Sequence, residues 1–232
     1  GMNAGPDGGV IWGIDLQTGV PVPIAQQAGR PRGLVTLPSG LVVATDILRH
    51  DIRLFDASTG TFTPLAGQAS CPDFADASAG ADARFNRPYG VALTPAGDLV
   101  VADQENHRIR LVEIATGATT TLAGDGTADM VDGYVEDARF SQPHDVAVDA
   151  AGVIYVSDRG NHRIRRINLT TGVVETIAGG DQEGFADGDG ELARFFGQEG
   201  LEVSSDGSTV YVVDGTLGVP GPYNRVRKIT VQ

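Results

Sequence analysis

Apolar and polar positions alternate along this chain in short, repeated bursts. Residues 89–93 read as a first short strand, and a turn follows at Pro95-Ala96-Gly97-Asp98. Residues 99–102 are then apolar without interruption, which suits a strand buried on both faces. Residues 108–114 alternate apolar with polar, the period of a half-buried strand. Thr116-Gly117 closes a hairpin, and residues 119–122 form its return strand. Glycine at the second turn position supplies the left-handed backbone that such hairpins need. The same turn recurs at Thr18-Gly19, Thr59-Gly60 and Thr171-Gly172.

The four-strand unit, with strands a to d, repeats at a fixed period. Gly33 and Gly90 lie 57 residues apart, and Gly90 to Asp145 and Asp145 to Gly200 are 55 each. A stack of sandwiches has no reason to hold that period. Radial repetition of four-stranded antiparallel blades does, and it covers both faces of each blade with its neighbours. The expected fold is therefore all-β, a β-propeller with about four and a half blades present. Residues 1–9 read as a cloning remnant (Gly1-Met2) and a partial loop, and 10–25 as a half blade. Residues 31–67, 88–124 and 143–179 read as full blades, and 198–232 as a last blade lacking its outer strand.

Asn106-His107-Arg108-Ile109 and Asn161-His162-Arg163-Ile164 resemble the Asn-His-Leu signature of NHL-repeat propellers, with arginine in the third place. The surrounding Pro-x-Gly-Val-Ala, Val-x-Asp and Asn-His-Arg-Ile-Arg pattern is similar to the bacterial form. Looser copies stand at Arg49-His50-Asp51-Ile52-Arg53 and Asn224-Arg225-Val226-Arg227. The resemblance implies a propeller, typically six-bladed in this family. On that expectation the chain is part of a longer ring or closes by pairing with another copy. The resemblance leaves the activity open, because one fold hosts many functions.

The 232 residues can bury a sizeable core, and 32 glycines suit a chain full of tight turns. The net charge of -13 argues against nucleic acid as a partner. No apolar run reaches membrane-spanning length. Cys71 is the single cysteine, so disulfide usage leaves the compartment open, with a periplasmic or extracellular location favoured.

Strand direction places the d-to-a loops, the Asn-His-Arg loops and the residue after each anchor Pro or Gln at one end of the propeller. That residue is Arg32, Tyr89, His144 and Glu199 in turn. It begins the innermost strand, differs in every unit and is polar each time. A ligand site at the channel mouth is one reading, and a solvated channel wall is the other. Asp145 stands where other units have the anchor glycine. The segment Pro143-His144-Asp145-Val146-Ala147-Val148 resembles a metal-binding segment of the peptidyl-hydroxyglycine amidating lyases, where histidines at this position in three units hold zinc. Here only His144 and Glu199 could serve, below the three ligands that an open zinc site needs.

His107 and His162 recur with their neighbours, and a structural role in the loop is expected of them, as of Asp46, Asp103, Asp158 and Asp214. The d-to-a loops are acidic. Asp187, Asp189 and Glu191 have the alternate spacing of calcium loops, but Gln198 stands where such a loop ends in glutamate. No nucleophile elbow, phosphate loop or dinucleotide fingerprint is present. The leading expectation is a non-enzymatic binding module, needing no cofactor. It uses Arg32, Tyr89, His144, Asp145 and Glu199 to take a protein, a peptide or a small polar ligand, a basic one included. The alternative is a lyase or lactonase-like enzyme holding calcium or zinc on the same face. A third possibility is a structural propeller with no ligand.

Overall fold

The structure, a computed structural model, describes residues 8–26, 28–215 and 224–231. The readings placed on Gly1-Met2, Pro6 and Asp7 lie outside the described residues. The first sheet is two-stranded, β1 (Val10–Ile14) against β2 (Pro21–Gln26). Four-stranded sheets follow: β3 (Pro31–Thr36), β4 (Val42–Asp46), β5 (Asp51–Asp56) and β6 (Thr61–Ala66), then β7 (Pro88–Leu93), β8 (Leu99–Asp103), β9 (Arg108–Val112) and β10 (Thr119–Ala123). A two-residue strand, β11 (Gly133–Tyr134), lies in the next loop and adds itself to the outer edge of the third blade. That blade is β12 (Pro143–Val148), β13 (Ile154–Asp158), β14 (Arg163–Asn168) and β15 (Val173–Ala178). The last sheet is β16 (Gln198–Val203), β17 (Thr209–Asp214) and β18 (Arg225–Thr230). Apart from β11, strands neighbour one another in chain order within every blade, and all pairings are antiparallel.

The unbroken apolar runs of the second strands are explained by where the cores lie. In β8, Leu99 and Val101 face the blade before, with Val43, Ile52 and Phe85. Val100 and Ala102 face the blade after, with Phe140, Val146 and Val156. β8 and β13 thus each contribute to two cores, one on each side of the sheet, whereas in β17 Val210 and Val212 face a core and Tyr211 and Val213 are exposed. A third core joins the third and fourth blades through Ile164, Phe195, Leu201 and Val212. Phe85, Phe140 and Phe195, from the three Ala-Arg-Phe segments, are buried wedges in these cores. Each contributes roughly 1.5–3 kcal/mol by leaving water. The inner strands β3, β7, β12 and β16 lie side by side in that order.

A buried ion-pair system ties each long loop to its blade. Arg110, which is 0% exposed, meets Asp103 at 2.6 Å and Asp76 of the preceding loop at 2.6 Å. Arg165 does the same with Asp158 at 2.7 Å and Asp132 at 2.6 Å. Arg227 repeats it with Asp214 at 3.2 Å and Asp187 at 2.8 Å. The guanidinium groups sit over Phe85, Phe140 and Phe195, 4.4–5.0 Å from the ring centroids. Asn106 and Asn161 each donate to the same buried aspartate and to a carbonyl of the long loop. Many of the acids in these loops are therefore partners of structural arginines.

The signature histidines join one blade to the next. His50 Nδ1 accepts the N–H of Arg87 at 3.0 Å, and His107 Nδ1 accepts that of Gln142 at 3.1 Å. All four residues have left-handed backbone, with φ between 49° and 60°. His162 has the same conformation, but its Nδ1 has no hydrogen-bond partner. Its counterpart, Gly197, donates its N–H to Asp214 instead.

Candidate functional site

The residue after each anchor falls at a local break in strand register. Pairing between inner and second strand shifts between Pro31 and Leu34, Pro88 and Val91, Pro143 and Asp145, and Gln198 and Gly200. Such a bulge re-aims the side chain of the extra residue. At these breaks stand Arg32, Tyr89, His144 and Glu199, and the structure brings all four together. The Arg32 guanidinium lies over the Tyr89 ring, 5.5 Å from its centroid. The Tyr89 and His144 rings are in contact at 3.5 Å. His144 Nδ1 is 2.7 Å from the Glu199 carbonyl oxygen. A carbonyl only accepts, so Nδ1 carries the proton and donates. Nε2 of the neutral ring is then a bare acceptor, 3.7 Å from the Glu199 carboxylate.

Burial dominates the electrostatics. His144 is 3% exposed, and desolvation, with Arg159, Arg32 and Arg87 acting in the same direction, lowers its pKa to about 4. Burial likewise raises the carboxyl of Glu199 against the pull of Arg159 and Arg32. It raises the Tyr89 phenol too, against Arg32.

Asp145 plays a different part. Its two carboxylate oxygens accept the N–H groups of Leu201, at 2.9 Å, and Val146, at 3.0 Å, joining β12 to β16. Burial pushes its carboxyl up to about 6. The adjacent inner strand accommodates it through Gly90, whose missing Cβ would lie 2.6 Å from the Asp145 Cα. Asp187 is occupied by Arg227, while Asp189 and Glu191 flank the start of a short 3₁₀ turn. Among the described residues, no three His, Cys, Asp or Glu side chains converge as a metal site would require.

Arg159 is a mouth residue that the sequence reading did not single out. It opens the 3₁₀ turn after β13, and its Nε lies 3.6 Å from Glu199 Oε1. Ile47 and Gln104 hold the equivalent place in earlier units, each directly after the invariant-type aspartate at Asp46 and Asp103. Variation beside a repeated residue was the available signal. Arg87 and Arg30, each directly before its anchor proline, complete the surroundings. Arg30, Arg32, Arg87 and Arg159 make the mouth basic within an acidic chain, while Asp76, Asp132 and Asp187 of the acidic loops are held by the structural arginines.

Four antiparallel blades, joined face to face by inter-blade cores, make the fold a β-propeller. The NHL repeat model matches residues 85–110 and 140–167, the two units with complete Asn-His-Arg loops. These two units are NHL repeats. The chain is 32% identical over 158 residues to NHL repeat-containing protein 2 of Bos taurus, covering 60% of this chain and 22% of that protein. It spans only 14–22% of the length of the first curated relatives it matches. A protein of unknown function from Bacteroides thetaiotaomicron superposes with a TM-score of 0.69 at 19% identity, over 93% of this chain and 52% of that one. An auxiliary nutrient binding protein from the same organism gives 0.63 at 21% identity, over 84% and 48%. At these identities the two structures establish the fold alone. No helix among the described residues is long and apolar enough to cross a membrane.

Proposed function

We propose that the chain is a binding module that takes its ligand at the mouth of the inner strands. The carrying observation is the continuous series Arg32–Tyr89–His144–Glu199, assembled from four successive blades, with Arg159 of the His144 blade against Glu199. Tyr89 is the half-buried surface on which a ligand would rest. His144 lies beneath it and positions both Tyr89 and Glu199. Asp145 holds the wall behind them. Binding residues on a rigid scaffold are the usual arrangement of such sites, and the same fold serves a solved auxiliary nutrient binding protein. The reading needs no cofactor. Metal analysis of the dialysed chain addresses that point, since one bound zinc or calcium per chain would favour the enzyme alternative.

A ligand-observed NMR screen of the purified chain tests the reading. Hits should lose their signal against Tyr89→Ala. Hits that bind that variant as well as the parent chain would move the site elsewhere.

A further inference from the structure

We propose that the rim of the last sheet is a docking slot for an extended strand of a partner protein, apart from the mouth and independent of its ligand. The strand it takes carries glutamate, threonine, an aliphatic residue and alanine in succession. The carrying observation is a framework motif that two blades complete and the last leaves open. In the second blade, Asp76 accepts from Arg110 at 2.6 Å, from the Thr121 N–H at 3.1 Å and from the Thr121 hydroxyl at 3.3 Å. In the third, Asp132 accepts from Arg165 at 2.6 Å, from the Thr176 N–H at 3.0 Å and from the Thr176 hydroxyl at 3.3 Å. Both threonines lie on outer strands, β10 and β15. Asp187 accepts from Arg227 at 2.8 Å, and among the described residues no threonine reaches it. Its side chain is 88% exposed, against 41% for Asp76 and 42% for Asp132.

The slot has two walls. β18 pairs with β17 along one edge and with no described strand along the other. An open edge offers N–H and C=O groups that an extended segment can take. The residue after each loop aspartate also pairs with the outer strand, Ala77 with Thr119 and Gly133 with Val174. Gly188 holds that place after Asp187, and Asp187, Gly188, Arg227 and Ile229 line one cleft of about 620 Å³ together with Ile177 of β15.

Register fixes the chemistry of the occupant. On β14, Ile164, Arg165, Arg166 and Ile167 pair with Ala178, Thr176, Glu175 and Val174. Val226, Arg227, Lys228 and Ile229 stand in those places on β18. The incoming strand thus sets an apolar residue opposite Ile229, an acid opposite Lys228 and threonine opposite Arg227. Arg166 and Glu175 make the corresponding ion pair at 2.8 Å, whereas Lys228 is exposed and makes none among the described residues. A second copy of the chain is a poor donor. Its β10 and β15 are already paired within their own blades, and β2 has Pro23, which lacks an N–H, at the threonine place.

Fluorescence anisotropy of a labelled peptide with the sequence of residues 173–179, titrated with the purified chain, tests the proposal. The peptide should bind saturably. Asp187→Ala in the chain should weaken it about tenfold, and so should Thr176→Pro in the peptide, the worth of one charge-assisted hydrogen bond. Lys228→Glu in the chain should weaken the parent peptide, and Glu175→Lys in the peptide should restore binding to that variant. Circular dichroism should show both chain variants folded, and the peptide variants test the same contacts with the chain unaltered. Absence of saturable binding at millimolar concentration would overturn the proposal. So would binding indifferent to Asp187→Ala and to the charge exchange. A chain that sediments as a dimer and becomes monomeric on Asp187→Ala would overturn it as well, by giving the slot to a second copy.

Discussion

The rings of Tyr89 and His144 lie 3.5 Å apart, tilted by 37°, although they belong to different blades. Tyr89 seals the imidazole from solvent, and the imidazole supports the tyrosine.

That sealing sets a pH dependence. Unfolded, His144 titrates near 6.5, and in the fold near 4. Between those values the unfolded chain binds the extra proton. The stability owed to a neutral His144 is therefore complete above the unfolded value and is lost as pH falls toward the folded one, by at most about 3 kcal/mol. NMR titration should find the His144 imidazole neutral at pH values where a free histidine is half protonated. Urea unfolding across the same range should show a shallower pH dependence in His144→Phe. An imidazole that titrates normally would contradict the burial argument.

Arg110→Met should destabilise the second blade by about 3–5 kcal/mol, because it strands the buried Asp103 carboxylate. The double change Asp103→Leu with Arg110→Met should cost less than Arg110→Met alone, since it removes both charges. Chemical denaturation of the three proteins measures this. A double variant less stable than the single would show that the pair contributes more than its desolvation costs.

His107→Ala should cost about 1–2 kcal/mol more than His162→Ala. Both substitutions put alanine at a left-handed position, so that strain largely cancels in the comparison. The difference isolates the bond from the Gln142 N–H to His107, which His162 has no equivalent of. Equal losses in thermal unfolding would deny the inter-blade role.

Gly90→Ala should unfold or severely weaken the protein, since the new Cβ would lie 2.6 Å from backbone at Asp145. Gly200→Ala should be tolerated, because its nearest neighbour, Asp145 Oδ2, is 3.5 Å away. Melting temperatures of the pair settle the comparison, and a stable Gly90→Ala would mean that β7 and β12 can move apart.

The blades were legible because alternation, turn glycines and the repeat period are local and redundant. The uninterrupted run at residues 99–102 announced a strand with a core on each side, and the structure supplies both. Arg32, Tyr89, His144 and Glu199 could be grouped because equivalent positions in a radial repeat must converge. Arg159 was missed because its neighbour Asp158 belongs to the repeated framework, and attention to what repeats hides the variable position beside it. The function of Asp187 as the Arg227 partner was equally hidden, for an acid in a loop looks the same whether it meets a metal, a guanidinium or water. Strand β11 was missed because two residues carry too little periodicity to read.

The repeats separate two duties that most sites mix. Scaffold hydrogen bonds run through the aspartate, asparagine and arginine positions, while Arg32, Tyr89, His144 and Glu199 stand one per blade at the register break where the units differ. Such a protein resembles a combination lock with one dial per blade. On the proposed reading, turning a dial, as between Tyr89 and His144, would change what the mouth accepts while the mechanism that holds the dials stays in place.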